Sequence, residues 1–205
     1  LSRSVEDSAT VTSVLIPWNS CGMTQSTVLG VATITYLPYC LFNLISPLLS
    51  IIVAATGYKI VKKDMLTPTI CRMKVEAQRL AGSAQPGQFL IVRADEQGER
   101  IPLTIADYDV EAGTVTIVTQ TIGHSTKKIC AMNEGDALAD FAGPLGRPSE
   151  FVHMPLEELK SRKYIFVAGG VGTAPVYPQV KWLKQHGVEC DVIIGAKTKD
   201  MLIYI

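Results

Sequence analysis

Three short segments in the later two-thirds of the chain combine polar side chains and glycines that suit a phosphate-bearing ligand. The first is Arg100–Thr104. A guanidinium presents parallel N–H donors to a phosphate or an anionic ring oxygen, and a threonine hydroxyl can hydrogen-bond a ring nitrogen. Arg100 and Thr104 are therefore candidate ligand-binding residues, although a pentapeptide of this kind also fits an ordinary edge strand.

The second segment, Gly123–Lys128, is a glycine turn that leads into a predicted short helix. Backbone N–H groups at a helix start have no partner within the helix, and the helix dipole favours an anion there. We predict that a pyrophosphate binds at Gly123, His124, Ser125 and Thr126. An ordinary helix cap is the alternative. His124 is interpreted as a positioned polar side chain rather than a metal ligand, because no partner ligand has suitable spacing.

The third segment, Tyr164–Pro175, is typical of a strand, a glycine turn and a helix start. Glycines let the backbone approach a dinucleotide, and a proline suits the first helical turn because its missing N–H would be unbonded anyway. The predicted nucleotide-binding residues are Gly169, Gly170, Gly172, Thr173, Ala174 and Pro175. The segment lacks Gly-x-Gly-x-x-Gly spacing, and no acidic ribose partner is obvious downstream. A tight structural turn is the alternative.

Short apolar runs around these segments must position them. From Tyr58 onward, alternating runs separated by glycine and proline turns indicate a small antiparallel β barrel. The predicted barrel strands cover residues 58–63, 70–75, 88–92 and 114–118. Later, an apolar strand at 163–168, a helix near 173–186 and a strand at 190–195 predict the opening of a parallel α/β nucleotide-binding fold.

The composition changes sharply along the chain. Its 205 residues include 19 basic and 19 acidic side chains, and this balance argues against a nucleic-acid-binding surface. No charged residue or histidine occurs from Ser8 to Tyr58. Residues 28–56 form a long apolar run, which predicts a helical, membrane-derived segment that Pro38 and Pro47 would break or kink. A buried soluble segment is the alternative.

The five cysteines lie far apart in the sequence: Cys21, Cys40, Cys71, Cys130 and Cys190. No pair has the two-residue spacing of a zinc or redox site, so we predict no metal site and reduced thiols in a reducing compartment. There is no initiator methionine and no secretory signal pattern. Both ends are abrupt, and we expect sequence to be missing on either side.

Residues 58–204 carry the three segments in order, with Gly143–Gly146 closing the barrel, and resemble the ferredoxin–NADP reductase superfamily. Within it, they are similar to the small subunit of NADH-dependent ferredoxin:NADP oxidoreductase (the sulfide dehydrogenase type) and to the electron-transfer subunit of dihydroorotate dehydrogenase. The matches are dense at Gln85–Phe89 and Pro178–Trp182. The resemblance implies FAD in a barrel over residues 58–155 and a nicotinamide nucleotide, NADH or NADPH, on a domain over residues 160–205.

The resemblance also implies roles for individual residues. Gly123–Thr126 would face the flavin pyrophosphate, and Gly169–Pro175 would face the nicotinamide cofactor. Thr104 would be the catalytic residue, and flavin contacts are expected from Arg100, Pro102, Leu103 and Thr104. In this sequence Arg100 stands four positions before Thr104, and Leu103 replaces the usual aromatic residue, so ring stacking by that side chain is excluded.

The superfamily continues past residue 204, so we expect the nucleotide-binding domain to be truncated in this chain. A [2Fe–2S] centre is expected in the family, but none of the five cysteines can be assigned to its cluster. By resemblance, the electron-transfer partner is a larger iron–sulfur flavoprotein subunit or ferredoxin.

Residues 1–57 resemble the C-terminal end of sodium/proton antiporters of the NhaC type, through Ser4–Thr10, Leu15–Gly22, Leu29–Thr33 and Tyr36–Tyr39. We expect an apolar helical fragment that cannot transport ions alone, because a cation site is assembled between repeats. The two kinds of sequence meet near Gly57–Ile60 without a flexible linker. An accidental joining of two reading frames is therefore an alternative to an evolved tethered enzyme.

Taken as a whole, the sequence predicts a fragment of a flavoprotein oxidoreductase that passes electrons between NAD(P)H and FAD toward an iron–sulfur partner. The alternative is a membrane-transport fragment that carries a non-catalytic nucleotide-binding module. We expect residues 58–205 in the cytoplasm, with residues 28–56 as the candidate membrane attachment and with no nucleic-acid partner.

Overall fold

The computed structural model describes residues 27–28 and 57–204. The chain divides into two units, residues 1–57 and residues 58–205, and all elements given below belong to the second. The apolar segment predicted over residues 28–56 lies outside the described residues, apart from Val28. Within the part of the chain that is described, no helix is long and apolar enough to cross a membrane.

Seven antiparallel strands form one sheet. They are β1 (Tyr58–Thr67), β2 (Ile70–Glu76), β3 (Phe89–Arg93), β4 (Ile101–Asp109), β5 (Thr114–Gln120), β6 (Ala137–Leu138) and β7 (Asp140–Leu145). Their order across the sheet is β6-β1-β2-β5-β4-β3-β7. Only Ala139 separates the two outermost strands, and its N–H donates to the Arg93 carbonyl at 3.0 Å. The sheet therefore forms a nearly closed barrel, which confirms the barrel predicted from the sequence.

Alternating side chains fill the interior of this barrel. In β2, Cys71, Met73 and Val75 are buried, whereas Arg72 and Lys74 between them are half-buried. Successive strand residues point to opposite faces, so one face of β2 is directed into the core. Burying a Val, Leu, Ile, Phe or Met side chain contributes about 1.5–3 kcal/mol. The same core cluster includes Leu90, Ile105, Ile117 and Phe141.

Two helices pack on the barrel, α1 (Gln78–Ser83) and α2 (His124–Ala131). A third, α3 (Leu156–Ser161), buries Leu159 in a separate cluster with Leu183. In α2, Ile129 and Cys130 are buried in the barrel core cluster. Gly123, directly before this helix, is exposed. The short helix predicted after Gly123 is therefore present. Helix α3 lies across the predicted domain boundary between residues 155 and 160, and that boundary stays a prediction.

A strand–helix–strand unit follows, as the apolar runs and the glycine turn predict. It consists of β8 (Tyr164–Gly169), a 3₁₀ turn (Gly170–Gly172), α4 (Thr173–Gln185) and β9 (Cys190–Gly195). Strands β8 and β9 are parallel. Phe166 of β8 packs with Trp182 and Leu183 of α4. Alternate residues of the two strands are exposed on the other face, namely Ile165, Val167 and Ile193.

Candidate functional site

Strand β4 divides its side chains between the barrel core and an outer face. Ile101, Leu103 and Ile105 pack in the core cluster, whereas Pro102 is exposed and Thr104 is half-buried. Because neighbouring strand residues point to opposite faces, Pro102 and Thr104 share the outer face. Leu103 is half-buried with its side chain toward the core, so its backbone is the part of the residue on the outer face.

Arg100 lies directly before β4 and is held by a carboxylate. Its Nε donates to Oδ2 of Asp140 at 2.8 Å, and its Nη2 is also 2.8 Å from that oxygen. Nε of Arg93 lies 2.8 Å from the same atom. One carboxylate therefore faces two guanidinium groups, which leaves a net positive charge suited to an anion. The Arg100 side chain is 50% exposed, so it is accessible to a ligand.

The start of α2 is organised by the hydroxyl group of Thr126. Its Oγ1 accepts the N–H groups of Gly123 at 2.9 Å and Ile122 at 3.2 Å, and it donates to the Gly123 carbonyl at 3.0 Å. The Thr126 side chain is thus occupied in capping the helix, as the alternative interpretation of this segment holds. Gly123 and His124 are exposed, so the helix start remains open to solvent.

Contacts from α2 bring its start beside the start of β4. Oγ of Ser125 donates to Oε2 of Glu99 at 2.8 Å, and Glu99 directly precedes Arg100. Lys128 forms an ion pair with Asp95, and the hydrogen bond from this lysine lowers the pKa of Asp95. The loop between β3 and β4 and the helix α2 line a cavity of about 220 Å³. Its lining includes Gln97, Gly98, Glu99, His124, Ser125 and Lys128.

No other part of the described chain covers the Cα atoms of Gly170 and Gly172 in the turn after β8. Gly170 has a φ of +53°, a conformation that favours glycine. A Cβ atom added at Gly170 or Gly172 would meet no atom within 4 Å. The backbone of this turn is therefore accessible for close approach by a ligand, whereas a turn buried under side chains would exclude it.

The residues that follow this turn point into the molecule. Thr173 and Ala174 are each 3% exposed. Both side chains are therefore directed toward the barrel. Oγ1 of Thr173 is buried and has no hydrogen-bond partner among residues 57–204. Ala174 and Val171 pack with the barrel residues Ile70, Ala106 and Val118.

Strand β4 connects the two halves of the candidate site. It begins next to Arg100, beside α2, and its residue Ala106 shares the buried cluster with Val171 of the glycine turn. Thr104 lies between these two points. Pro175 is half-buried in the first turn of α4, where its carbonyl accepts the side-chain N–H of Gln179 at 3.0 Å. The three predicted segments therefore belong to different elements, and β4 contacts the elements that carry the other two.

These groups fit an extended dinucleotide such as FAD. The open start of α2 and the exposed Arg100 suit a pyrophosphate, and the outer face at Pro102 and Thr104 suits a flat ring system. The buried, unpaired hydroxyl of Thr173 is an orphaned polar group beside the glycine turn, and a nicotinamide nucleotide could satisfy it.

The three cysteines that the structure describes do not fit an iron–sulfur centre. Among residues 27–28 and 57–204, no group of three His, Cys, Asp or Glu side chains could hold a metal ion. Cys71 and Cys130 are buried in the barrel core. A hydrogen bond with Cys130, together with burial, raises the pKa of Cys71 and favours its thiol over the thiolate that ligates a metal. Cys21 and Cys40 lie outside the described residues.

Sequence reasoning missed Glu99 and Asp140, which contact predicted site residues. Neither belongs to a motif that marks a ligand site. Asp140 meets Arg100 because β3 pairs with both β4 and β7. Glu99 meets Ser125 because α2 packs on the barrel beside the loop before β4. No local signal in the sequence could have revealed either contact.

Comparisons with known proteins separate the two parts of the chain. Residues 1–58 match the Na⁺/H⁺ antiporter family. Over 147 residues the chain is 65% identical to a Clostridium beijerinckii protein described as an uncharacterized protein in the adh 3′ region, with 72% of this chain and 50% of that protein covered. It is also 37% identical, over 147 residues, to a Thermotoga maritima homolog of the dihydroorotate dehydrogenase B (NAD(+)) electron transfer subunit. This match covers 72% of this chain and 50% of that protein.

A solved structure of an NADH-dependent reduced ferredoxin–NADP oxidoreductase, studied for flavin-based electron bifurcation, is 37% identical to the chain. The two superimpose with a TM-score of 0.65, over 73% of this chain and 51% of that one. The chain thus spans about half the length of these relatives. Residues 58–204 therefore resemble the ferredoxin–NADP reductase superfamily, and residues 1–58 resemble the Na⁺/H⁺ antiporter family.

Proposed function

We propose that residues 58–204 act as a flavoprotein electron-transfer module that passes electrons between NAD(P)H and FAD. The observation that carries this proposal is the meeting of the α2 start with the loop that leads into β4, through the contact of Ser125 with Glu99. The names of two relatives, an electron transfer subunit homolog and a ferredoxin–NADP oxidoreductase, support the same chemistry.

Bound FAD would supply the hydride and single-electron chemistry. Arg100 and the N–H groups at the start of α2 would hold its pyrophosphate. The Thr104 hydroxyl would hydrogen-bond the flavin ring, and we assign it as the catalytic residue. Pro102 would cover part of the ring face. Thr126 would keep the helix start in place by capping it rather than by touching the ligand.

The nicotinamide nucleotide would bind at the open glycine turn, Gly169–Gly172, and near the buried hydroxyl of Thr173. This places the electron donor beside β4, where the flavin ring would lie. The acceptor would be an iron–sulfur partner in the cytoplasm, either ferredoxin or a larger iron–sulfur flavoprotein subunit, since the described cysteines of this chain do not fit such a centre.

Flavin binding and reduction test the proposal on the full chain. We expect the protein purified with added FAD to show a flavin absorption band that NADH or NADPH bleaches, with electrons passing to added ferricyanide. Thr104→Val should lower the rate constant of flavin reduction about 100-fold, within the range for a positioned catalytic group. Thr198→Val, at an exposed position after β9, is the matched control and should leave that rate unchanged.

Two results would contradict this function. A full chain that retains no FAD would refute the flavin site. A chain that binds FAD and NADH without reducing ferricyanide would instead indicate a non-catalytic nucleotide-binding module.

A second candidate function concerns residues 1–58, because they match the antiporter family. We propose that they derive from a membrane transporter and attach the chain to a membrane. The full chain should then sediment with membranes and resist extraction by alkaline carbonate, whereas a chain without residues 1–57 should not. Detergent-free solubility of both would refute attachment, and a DNA read across the codons of residues 50–65 would show whether one reading frame joins the two parts.

A further inference from the structure

Strand β4 contains a bulge where α4 packs on the barrel. Ile105 and Asp107 pair with adjacent residues of β5, so Ala106 is an extra residue in the ladder. Ile105 and Tyr108 both pack against the barrel core, three positions apart. Without the bulge, regular alternation would turn Asp107 toward the core with Ile105. The extra residue therefore places both Ala106 and Asp107 on the outer side.

Helix α4 presents a matching row of residues to this bulge. Ala174, Pro178 and Lys181 follow one another at intervals of four and three, so they share one helix face. Ala174 lies in the same buried cluster as Ala106, and Pro178 is buried. At the end of the row, Nζ of Lys181 lies 2.6 Å from Oδ1 of Asp107. We call these contacts the α4–β4 joint.

The ion pair between Lys181 and Asp107 fixes the position of α4 along β4. The side chains of Lys181 and Asp107 are only 35% and 24% exposed, so solvent screens their attraction incompletely. Oδ1 of Asp107 also accepts the Tyr108 N–H at 2.9 Å, which fixes the carboxylate. Burial lowers the pKa of Lys181, but the hydrogen bond and charge of Asp107 outweigh it and raise this pKa. The apolar packing of Ala174 and Pro178 alone would let α4 slide along the barrel, because apolar contacts are not directional.

We propose that Asp107 and Lys181 are positioning residues for electron transfer, because they fix the glycine turn at the start of α4 beside the outer face of β4. This inference rests on the proposed function, in which the turn and that face hold the nicotinamide and the flavin. Thr104 lies three residues before Asp107, and Gly172 directly precedes α4. A tilt of the helix would therefore change the distance between donor and acceptor.

A first measurement needs no cofactor. In the full chain, Lys181→Met or Asp107→Asn should make the backbone amides of α4 exchange with deuterium about fivefold faster, the effect of losing roughly 1 kcal/mol of local stability. The combined variant should exchange no faster than either single variant, since each one already breaks the pair. Lys184→Met, an exposed lysine of the same helix, is the matched control and should not change exchange.

A second measurement uses the FAD-loaded chain. Either single variant should lower the rate constant of flavin reduction by NADH about tenfold while leaving FAD affinity unchanged, because the donor is displaced and the flavin contacts are not. The charge-swapped chain, Asp107→Lys with Lys181→Asp, restores an ion pair. It should therefore recover most of the rate of flavin reduction and most of the slow amide exchange of α4. A role in folding alone would not produce this separation of rate from affinity.

The outcomes are distinct. Unchanged amide exchange in the single variants would refute the joint. Faster exchange with an unchanged reduction rate would refute the positioning role. A full chain that binds no FAD would refute the proposed function and the positioning role with it, while the exchange data would decide separately whether the pair holds α4.

Discussion

Gly87 marks a place where two backbone segments approach closely. Its φ is +90°, and a Cβ atom there would lie 2.5 Å from Oγ and 2.9 Å from N of Ser149. The Ser149 N–H donates to the Pro86 carbonyl at 2.8 Å, and its hydroxyl donates to Gln179 of α4 at 3.1 Å. The glycine therefore permits a contact that also connects to the helix behind the glycine turn.

We predict that Gly87→Ala lowers the free energy of unfolding by about 2 kcal/mol, because positive φ is strained for alanine and Ser149 must also move. Urea denaturation measures this. Gly135→Ala is the matched control, since Gly135 has a φ of +94° but no atom within 4 Å of an added Cβ. It should cost about 1 kcal/mol. Equal losses in both variants would show that the close approach at Gly87 contributes nothing.

At the scale of the elements, the β1–β2 hairpin carries an ion pair whose effect depends on pH. Nη2 of Arg72 lies 2.9 Å from Oδ2 of Asp64, and the hydrogen bond from Arg72 lowers the pKa of this carboxyl. A group whose folded pKa lies below its unfolded value of about 3.9 stabilises the fold above that value. This stabilisation is lost as the pH falls through the folded pKa.

We therefore predict that Asp64→Asn flattens the dependence of the unfolding free energy on pH between about pH 2 and pH 4. Urea denaturation at several pH values measures this slope. Glu111→Gln, an exposed carboxyl group after β4, serves as the control and should follow the unmodified chain. Parallel curves for Asp64→Asn and the unmodified chain would contradict the assignment.

For the whole molecule, a dinucleotide held by both α2 and β4 would connect elements that are distant in sequence. A ligand that binds only the folded state at 100 times its Kd adds about 2.7 kcal/mol of stability. We predict that FAD raises the Tm of the full chain by about 5–10 °C. Riboflavin at the same concentration should raise it less, because it lacks the pyrophosphate expected at Arg100. Equal shifts with both ligands in a thermal melt would contradict a pyrophosphate site at α2.

Part of this structure follows from local patterns in the sequence. The alternation of Ile70–Val75 predicts β2, and the apolar run before Gly169 predicts β8, since these signals depend on neighbouring residues alone. The sequence could also have predicted that the Leu103 side chain faces the core, because Ile101, Leu103 and Ile105 alternate with the residues between them. The bulge at Ala106 was not, because it exists only relative to the partner strand.

The sequence by itself determined β1, β2, β3, β5, β8 and β9, the glycine turns and the short helix at Gly123, because side-chain periodicity and backbone freedom act over a few residues. It did not determine β4, β6 or β7. Only the tertiary structure decided which distant groups became neighbours. Asp140 reached Arg100 through the pairing of β3 with β7, and Lys181 reached Asp107 through the packing of α4 on the barrel. Such contacts arise from the joint burial of several apolar faces, which no single segment encodes.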